Sequence, residues 1–130
     1  NILLARRYHS NETDQMLIAE ALQWCRRFGL KSIPAARPGA VSLEQLKLCQ
    51  WIRAFMQSPR LLLLEHPERN VSPNAVKLLA EAVDDLRRTG SGVLWVTDRE
   101  TPPAAPDLPK PIIYVKRGDE LVLESKESKP

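Results

Sequence analysis

The sequence predicts an α/β fold in which a helical part is followed by a partial parallel sheet and a C-terminal β-hairpin. Three observations carry this. Two short apolar runs, Leu61-Leu62-Leu63-Leu64 and Val93-Leu94-Trp95-Val96, flank a helical pattern that opens at Ser72-Pro73, and strand–helix–strand order implies parallel strands. The leucine run is pinned between Pro59 and Pro67, which leaves too little room for a helix. Residues 112–116 and 120–124 are joined through Arg117-Gly118-Asp119, a hairpin signal. Ligands of open α/β sheets bind outside the carboxyl ends of the strands. Glu65, His66 and Asp98 close the two predicted strands and are the first places to look for chemistry.

The elements follow in order. Ile2 to Tyr8 is an apolar-then-basic lead-in too brief to assign. Ser10, Asn11 and Thr13 offer N-caps for a first helix, with Glu12 and Asp14 favourable near its positive end. Ile18, Leu22, Cys25 and Phe28 fall at helical spacing and define its expected buried face. Arg26 and Arg27 suit the last turn, and Gly29 is the expected left-handed stop. Leu30 to Ala40, with Pro34, Pro38 and Gly39, reads as a loop.

Ser42 with Gln45 three residues on makes a capping box for a second helix. Its apolar face is Leu48, Cys49, Ile52, Phe55 and Met56, and Pro59 ends it. A continuous run such as Leu61 to Leu64 is expected of a strand covered on both faces. Ser72-Pro73 supplies an N-cap and a proline at the first helical position; Val76, Leu79, Ala80, Val83 and Leu86 line the third helix, which Gly90 ends. Gly92 to Thr97 is the second strand. Thr101 to Pro111 holds five prolines and excludes helix and central strand. Residues 125–130 are a polar tail expected to fray.

Composition bounds the function. At 130 residues the chain has material for one domain. The hydrophobic share of 43% and charged share of 27% place it among globular proteins. A net charge of +3, with Lys and Arg interleaved with Asp and Glu, argues against a nucleic-acid partner. No apolar run approaches the ~20 residues that span a bilayer, and no signal peptide is visible. Cys25 and Cys49 lie within helical patterns and read as free thiols of a reducing compartment, ahead of a disulfide or metal site. The first residue is Asn1 rather than Met, so the chain is expected to be cut from something longer.

This order of signals resembles the second half of an ABC transporter ATP-binding subunit, a P-loop NTPase. That family carries Leu-Ser-Gly-Gly-Gln at a helix start, a helix, four apolar residues with Asp-Glu-Pro, a short D-loop, a helix, and a strand ending in Thr-His-Asp. Here Val41 to Gln45 take the signature place, Leu61 to Pro67 the Walker B place, Arg69 to Ser72 the D-loop place and Thr97-Asp98 the switch-loop place. Arg53-Ala54 falls where the family often has Arg-Ala, and Ile113 to Val122 looks like its closing hairpin. The resemblance divides the chain into a helical (signature) subdomain, 1–58, the C-terminal part of the ATPase core, 59–124, and the tail, 125–130.

The resemblance also implies what is altered. Leu43 and Glu44 replace the signature glycines whose amides approach a γ-phosphate, and only Ser42 and Gln45 survive as signature-like nucleotide contacts. Those two are equally explained as a helix cap. Glu65 stands for the Walker B aspartate that helps hold Mg²⁺, His66 for the catalytic glutamate, Asp98 for the switch histidine and Ser72 for the D-loop aspartate. No Gly-x-x-x-x-Gly-Lys-[Ser/Thr] loop occurs in these residues, so the Walker A half is lacking. ATP and Mg²⁺ are therefore implied by the family only, and this chain alone is not expected to bind ATP tightly or to hydrolyse it.

The expected partners are another nucleotide-binding subunit or a second copy, and a membrane transporter subunit, with a cytoplasmic location at the inner face of the membrane. Trp24 and Trp51 are either core residues or marks of the membrane-subunit contact. In the family the phosphate-loop strand lies between the switch-loop strand and the hairpin. Its lack here predicts either an open slot beside residues 92–97 or direct pairing of 92–97 with 112–116. Two other readings compete: a stand-alone, non-catalytic interaction protein derived from such an ATPase, and an unrelated α/β enzyme using Glu65, His66 and Asp98 as an acid/base cluster.

Overall fold

The computed structural model describes residues 2–98 and 112–123. Helices α1 (Leu4–His9), α2 (Asp14–Arg27) and α3 (Leu43–Phe55) come first. Strand β1 (Leu61–Glu65), helix α4 (Pro73–Arg88) and strand β2 (Gly92–Val96) follow, then β3 (Tyr114–Arg117) and β4 (Glu120–Leu123). The α/β class is as expected. The proline-rich stretch 101–111 and the tail lie outside the described residues.

The lead-in that the sequence left unassigned is helix α1. It is too short to hold itself; the Arg6 guanidinium fixes it from outside. Arg6 donates to both carboxylate oxygens of Glu12, at 2.7 and 3.1 Å, and to the carbonyl of Met56 after α3.

Of the three N-cap candidates for α2, Thr13 takes the role, its hydroxyl accepting the Met16 N–H at 3.4 Å. Cys25 and Phe28 are buried as expected, but Leu17 and Ala21 take the buried places expected of Ile18 and Leu22. Ile18 is 39% exposed. Ala21 is small yet fully buried in the core, a place that bulk alone does not reveal. Gly29, at φ +79°, ends the helix as expected. The Leu30 N–H reaches back to the Cys25 carbonyl and the Gly29 N–H to that of Arg26, which closes a Schellman motif.

The capping box of α3 forms in full. The Ser42 hydroxyl accepts the Gln45 N–H at 3.1 Å and the Gln45 side-chain oxygen accepts the Ser42 N–H at 3.2 Å. Leu48, Trp51, Ile52, Phe55 and Met56 are buried, with Cys49 at the margin. Trp51, at 3% exposure, lies in an aromatic group with Trp24, Phe28 and Phe55. It is therefore core and not an exposed docking residue. Both thiols are free, and burial raises the pKa of each above the ordinary value.

β1 and β2 pair in parallel, from Leu61 beside Gly92 to Glu65 beside Val96. Ser72 caps α4 through the Ala75 N–H, with Pro73 in the first turn. One hydrophobic core joins Ala21, Cys25, Trp51, Ile52, Leu62, Leu64, Leu79 and Val83, so α2 and α3 share it with the sheet. The expectation that both strand faces are covered is corrected. Leu62 and Leu64 are buried, but Leu61 and Leu63 are 70% and 63% exposed, as are Leu94 and Val96 of β2 in lesser degree. Helices cover one face only; among the described residues nothing covers the other.

The hairpin turns at Gly118-Asp119, with Gly118 at φ +60° in the first central position of a two-residue loop, as a type II′ turn requires. β3 pairs with β4 and not with β2. Direct closure of the sheet is absent among the described residues, and the far edge of β2 has no strand beside it there.

Candidate functional site

The carboxyl ends of β1 and β2 converge on one constellation. The β1 ladder continues one step, from the His66 N–H to the Val96 carbonyl at 2.8 Å. The chain then turns sharply, with His66 at φ +41° and Asn70 at φ +62°. Positive φ is uncommon outside glycine, and at this turn the His66 ring lies beside Glu68 and Asp98.

Glu68 is the centre of this group. It is a buried carboxylate with 4% exposure, a position that is costly without partners. The Thr97 hydroxyl donates to one oxygen at 2.5 Å and the Trp95 indole N–H to the other at 3.3 Å. Trp95 of β2 and Thr97, just past its end, are two residues apart and fall on the same, helix-covered side, which places both donors at Glu68. His66 Nδ1 lies 4.0 Å from Glu68 Oε1 and 3.6 Å from Asp98 Oδ1. The other Asp98 oxygen accepts from Arg69 at 2.6 Å. That hydrogen bond, chiefly, lowers the Asp98 pKa below the ordinary value, and nearby His66 adds a smaller effect.

The structure brings His66 and Asp98 together and separates them from Glu65. By the alternation of β1, Glu65 shares the uncovered face with Leu61 and Leu63. Sequence reasoning missed Glu68 altogether. It follows Pro67 in a loop, and only the return of β2 with Trp95 and Thr97 marks it.

The signature-like residues lie elsewhere, at the N-terminus of α3. The Ser42 hydroxyl oxygen and the Gln45 side-chain oxygen each accept the other residue's backbone N–H. The Glu44 carboxylate accepts the backbone N–H of Ser72 at 2.8 Å, which lowers its pKa. A shallow cleft of about 240 Å³ lies beside them, lined by Gly29, Glu44, Gln45, Ser72 and Asn74 among others. No described helix is long and apolar enough to cross a membrane.

No protein-family model matches the chain. It is similar to the arabinose import ATP-binding protein AraG 1 of Burkholderia cenocepacia, 30% identical over 71 residues, which is 55% of this chain and 14% of that protein. An uncharacterized ABC transporter ATP-binding protein of Alkalihalophilus pseudofirmus is 29% identical over 83 residues, 64% of this chain and 31% of that protein. The ABC transporter ATP-binding protein YhaQ of Bacillus subtilis is 29% identical over 82 residues, 63% of this chain and 28% of that protein. The chain thus spans less than a third of the length of these relatives. Their shared description supports the class suggested by the ordered motifs: a part of an ABC-type ATP-binding protein.

Proposed function

We propose that the chain is the C-terminal part of a degenerate ABC transporter ATP-binding subunit. In a dimer it couples nucleotide-driven closure to a membrane transporter subunit at the inner face of the membrane. The observation that carries this reading is the similarity to ABC transporter ATP-binding proteins over 71 to 83 residues. The parallel β1–α4–β2 unit supports it. So does the uncovered face bearing Leu61, Leu63, Leu94 and Glu65, which suits a sheet whose remaining layer comes from outside the described residues.

The residues present do not fit ATP with Mg²⁺. At the signature place Glu44 puts a carboxylate where a phosphate would approach, and that carboxylate already takes the Ser72 N–H. Ser42 and Gln45 are engaged in the helix cap. Asp98 sets a further negative group at the switch-loop place. No catalytic step is routed through these side chains, and the chain by itself does not hydrolyse ATP. The test is phosphate release from Mg-ATP by the purified chain: a rate at the buffer background is expected, and turnover that disappears in His66→Ala would contradict the reading.

The second reading, a non-catalytic interaction protein of the same ancestry, is favoured by one observation: the uncovered apolar face persists with no strand beside β2 among the described residues. It predicts a stable oligomer that forms without nucleotide, seen by analytical ultracentrifugation.

A further inference from the structure

We infer that His66, Glu68 and Asp98 form a binding site for a divalent cation of borderline softness, of which zinc is the best match. The three side chains leave the carboxyl ends of both parallel strands, and one ligand atom from each lies within 4.8 Å of the others. The separations from His66 Nδ1, 3.6 Å to Asp98 and 4.0 Å to Glu68, are too long for hydrogen bonds. With zinc bonds of roughly 2.1 Å, tetrahedral donors stand about 3.4 Å apart. The triad is thus slightly expanded around the space an ion would fill, and Asp98, with a 59% exposed side chain, has room to close it.

An independent observation points the same way. His66 Nδ1 is shielded from solvent and, among the described residues, has no hydrogen-bond partner, and such an atom calls for a specific explanation. A cation accepting its lone pair supplies one. The outer groups are those of a metal site. Trp95 holds the far oxygen of Glu68 and the Thr97 hydroxyl donates to the near one, which keeps further lone-pair capacity, while Arg69 holds the far oxygen of Asp98 and leaves the near one turned to His66. One nitrogen and two oxygens favour zinc over magnesium or calcium, which prefer oxygen throughout. Three protein ligands leave a fourth position open to solvent. This site is distinct from the Mg²⁺ position expected at Glu65, which is not one of the three, and does not depend on the chain's ancestry.

The experiment is calorimetric titration of zinc chloride into the metal-stripped full chain, paired with nitrogen NMR of its two histidine rings, His9 and His66. One zinc per chain is expected, with the His66 Nδ1 resonance moving and His9 unchanged. Asp98→Asn, at an exposed position, is expected to weaken binding 10- to 100-fold, and His66→Ala to remove it. His9→Ala is the control and circular dichroism verifies folding of each variant. An imidazolium merely paired with its carboxylates gives no zinc binding below millimolar concentration, which overturns the proposal. So does binding that is unchanged in Asp98→Asn or that moves only the His9 resonance.

Discussion

The carboxylate of Glu44, in the first turn of α3, accepts the backbone N–H of Ser72, the N-cap of α4, at 2.8 Å. It ties the place where the resemblance expects a phosphate-binding glycine to the place where it expects a D-loop aspartate.

This contact has a pH signature. The Ser72 N–H, above all, lowers the Glu44 pKa below the ordinary 4.5. A group depressed in the folded state stabilises it fully above that ordinary value, and the stabilisation is lost as pH falls through the folded value. Glu12, hydrogen-bonded by Arg6, and Asp98, hydrogen-bonded by Arg69, act in the same direction. Thermal unfolding followed from pH 7 to pH 3 is expected to show Tm falling less steeply below pH 4.5 in Glu44→Gln than in the parent chain. Parallel curves would show that the contact carries no stability.

The rotated face of α2 is testable by a pair of neighbours. Leu17 is fully buried, whereas Ile18 is 39% exposed. Leu17→Ala is expected to cost about 3 kcal/mol through lost burial and the cavity left behind. Ile18→Ala is expected to change stability by no more than about 0.5 kcal/mol. Urea denaturation of both variants checks the assignment; the reverse order would restore the face expected from bulk alone.

Ser42 separates capping from nucleotide recognition. Because its hydroxyl accepts the Gln45 N–H, Ser42→Ala is expected to destabilise the chain by about 1 kcal/mol. Gly at the same place should recover most of that loss, since glycine is a tolerable N-cap. Denaturation midpoints of the two variants decide it, and an unchanged midpoint in Ser42→Ala would remove the structural role.

How much of this was readable before the structure depended on the range of the signal. The capping box at Ser42, Ser72-Pro73 before α4, Gly29 and the Gly118-Asp119 turn are local devices, and each stands where its chemistry demanded. Helix α1 was not readable because its support is tertiary, through Arg6 to Glu12 and Met56. The leucine run signalled a strand but not its environment. Four successive apolar residues imply two covered faces, and here Leu61 and Leu63 have no cover among the described residues. At the site, His66 and Asp98 were visible as strand endings. Glu68 was not, because its importance comes from burial against Trp95 and Thr97, 27 and 29 residues away.

The proposal that these residues are the C-terminal part of an ABC-type ATP-binding subunit is decided by the coding frame upstream of Asn1. A strand-to-helix segment carrying Gly-x-x-x-x-Gly-Lys-[Ser/Thr] is expected there in the same frame. A start codon close to Asn1 with no such segment would contradict it and leave the non-catalytic interaction protein as the reading to pursue.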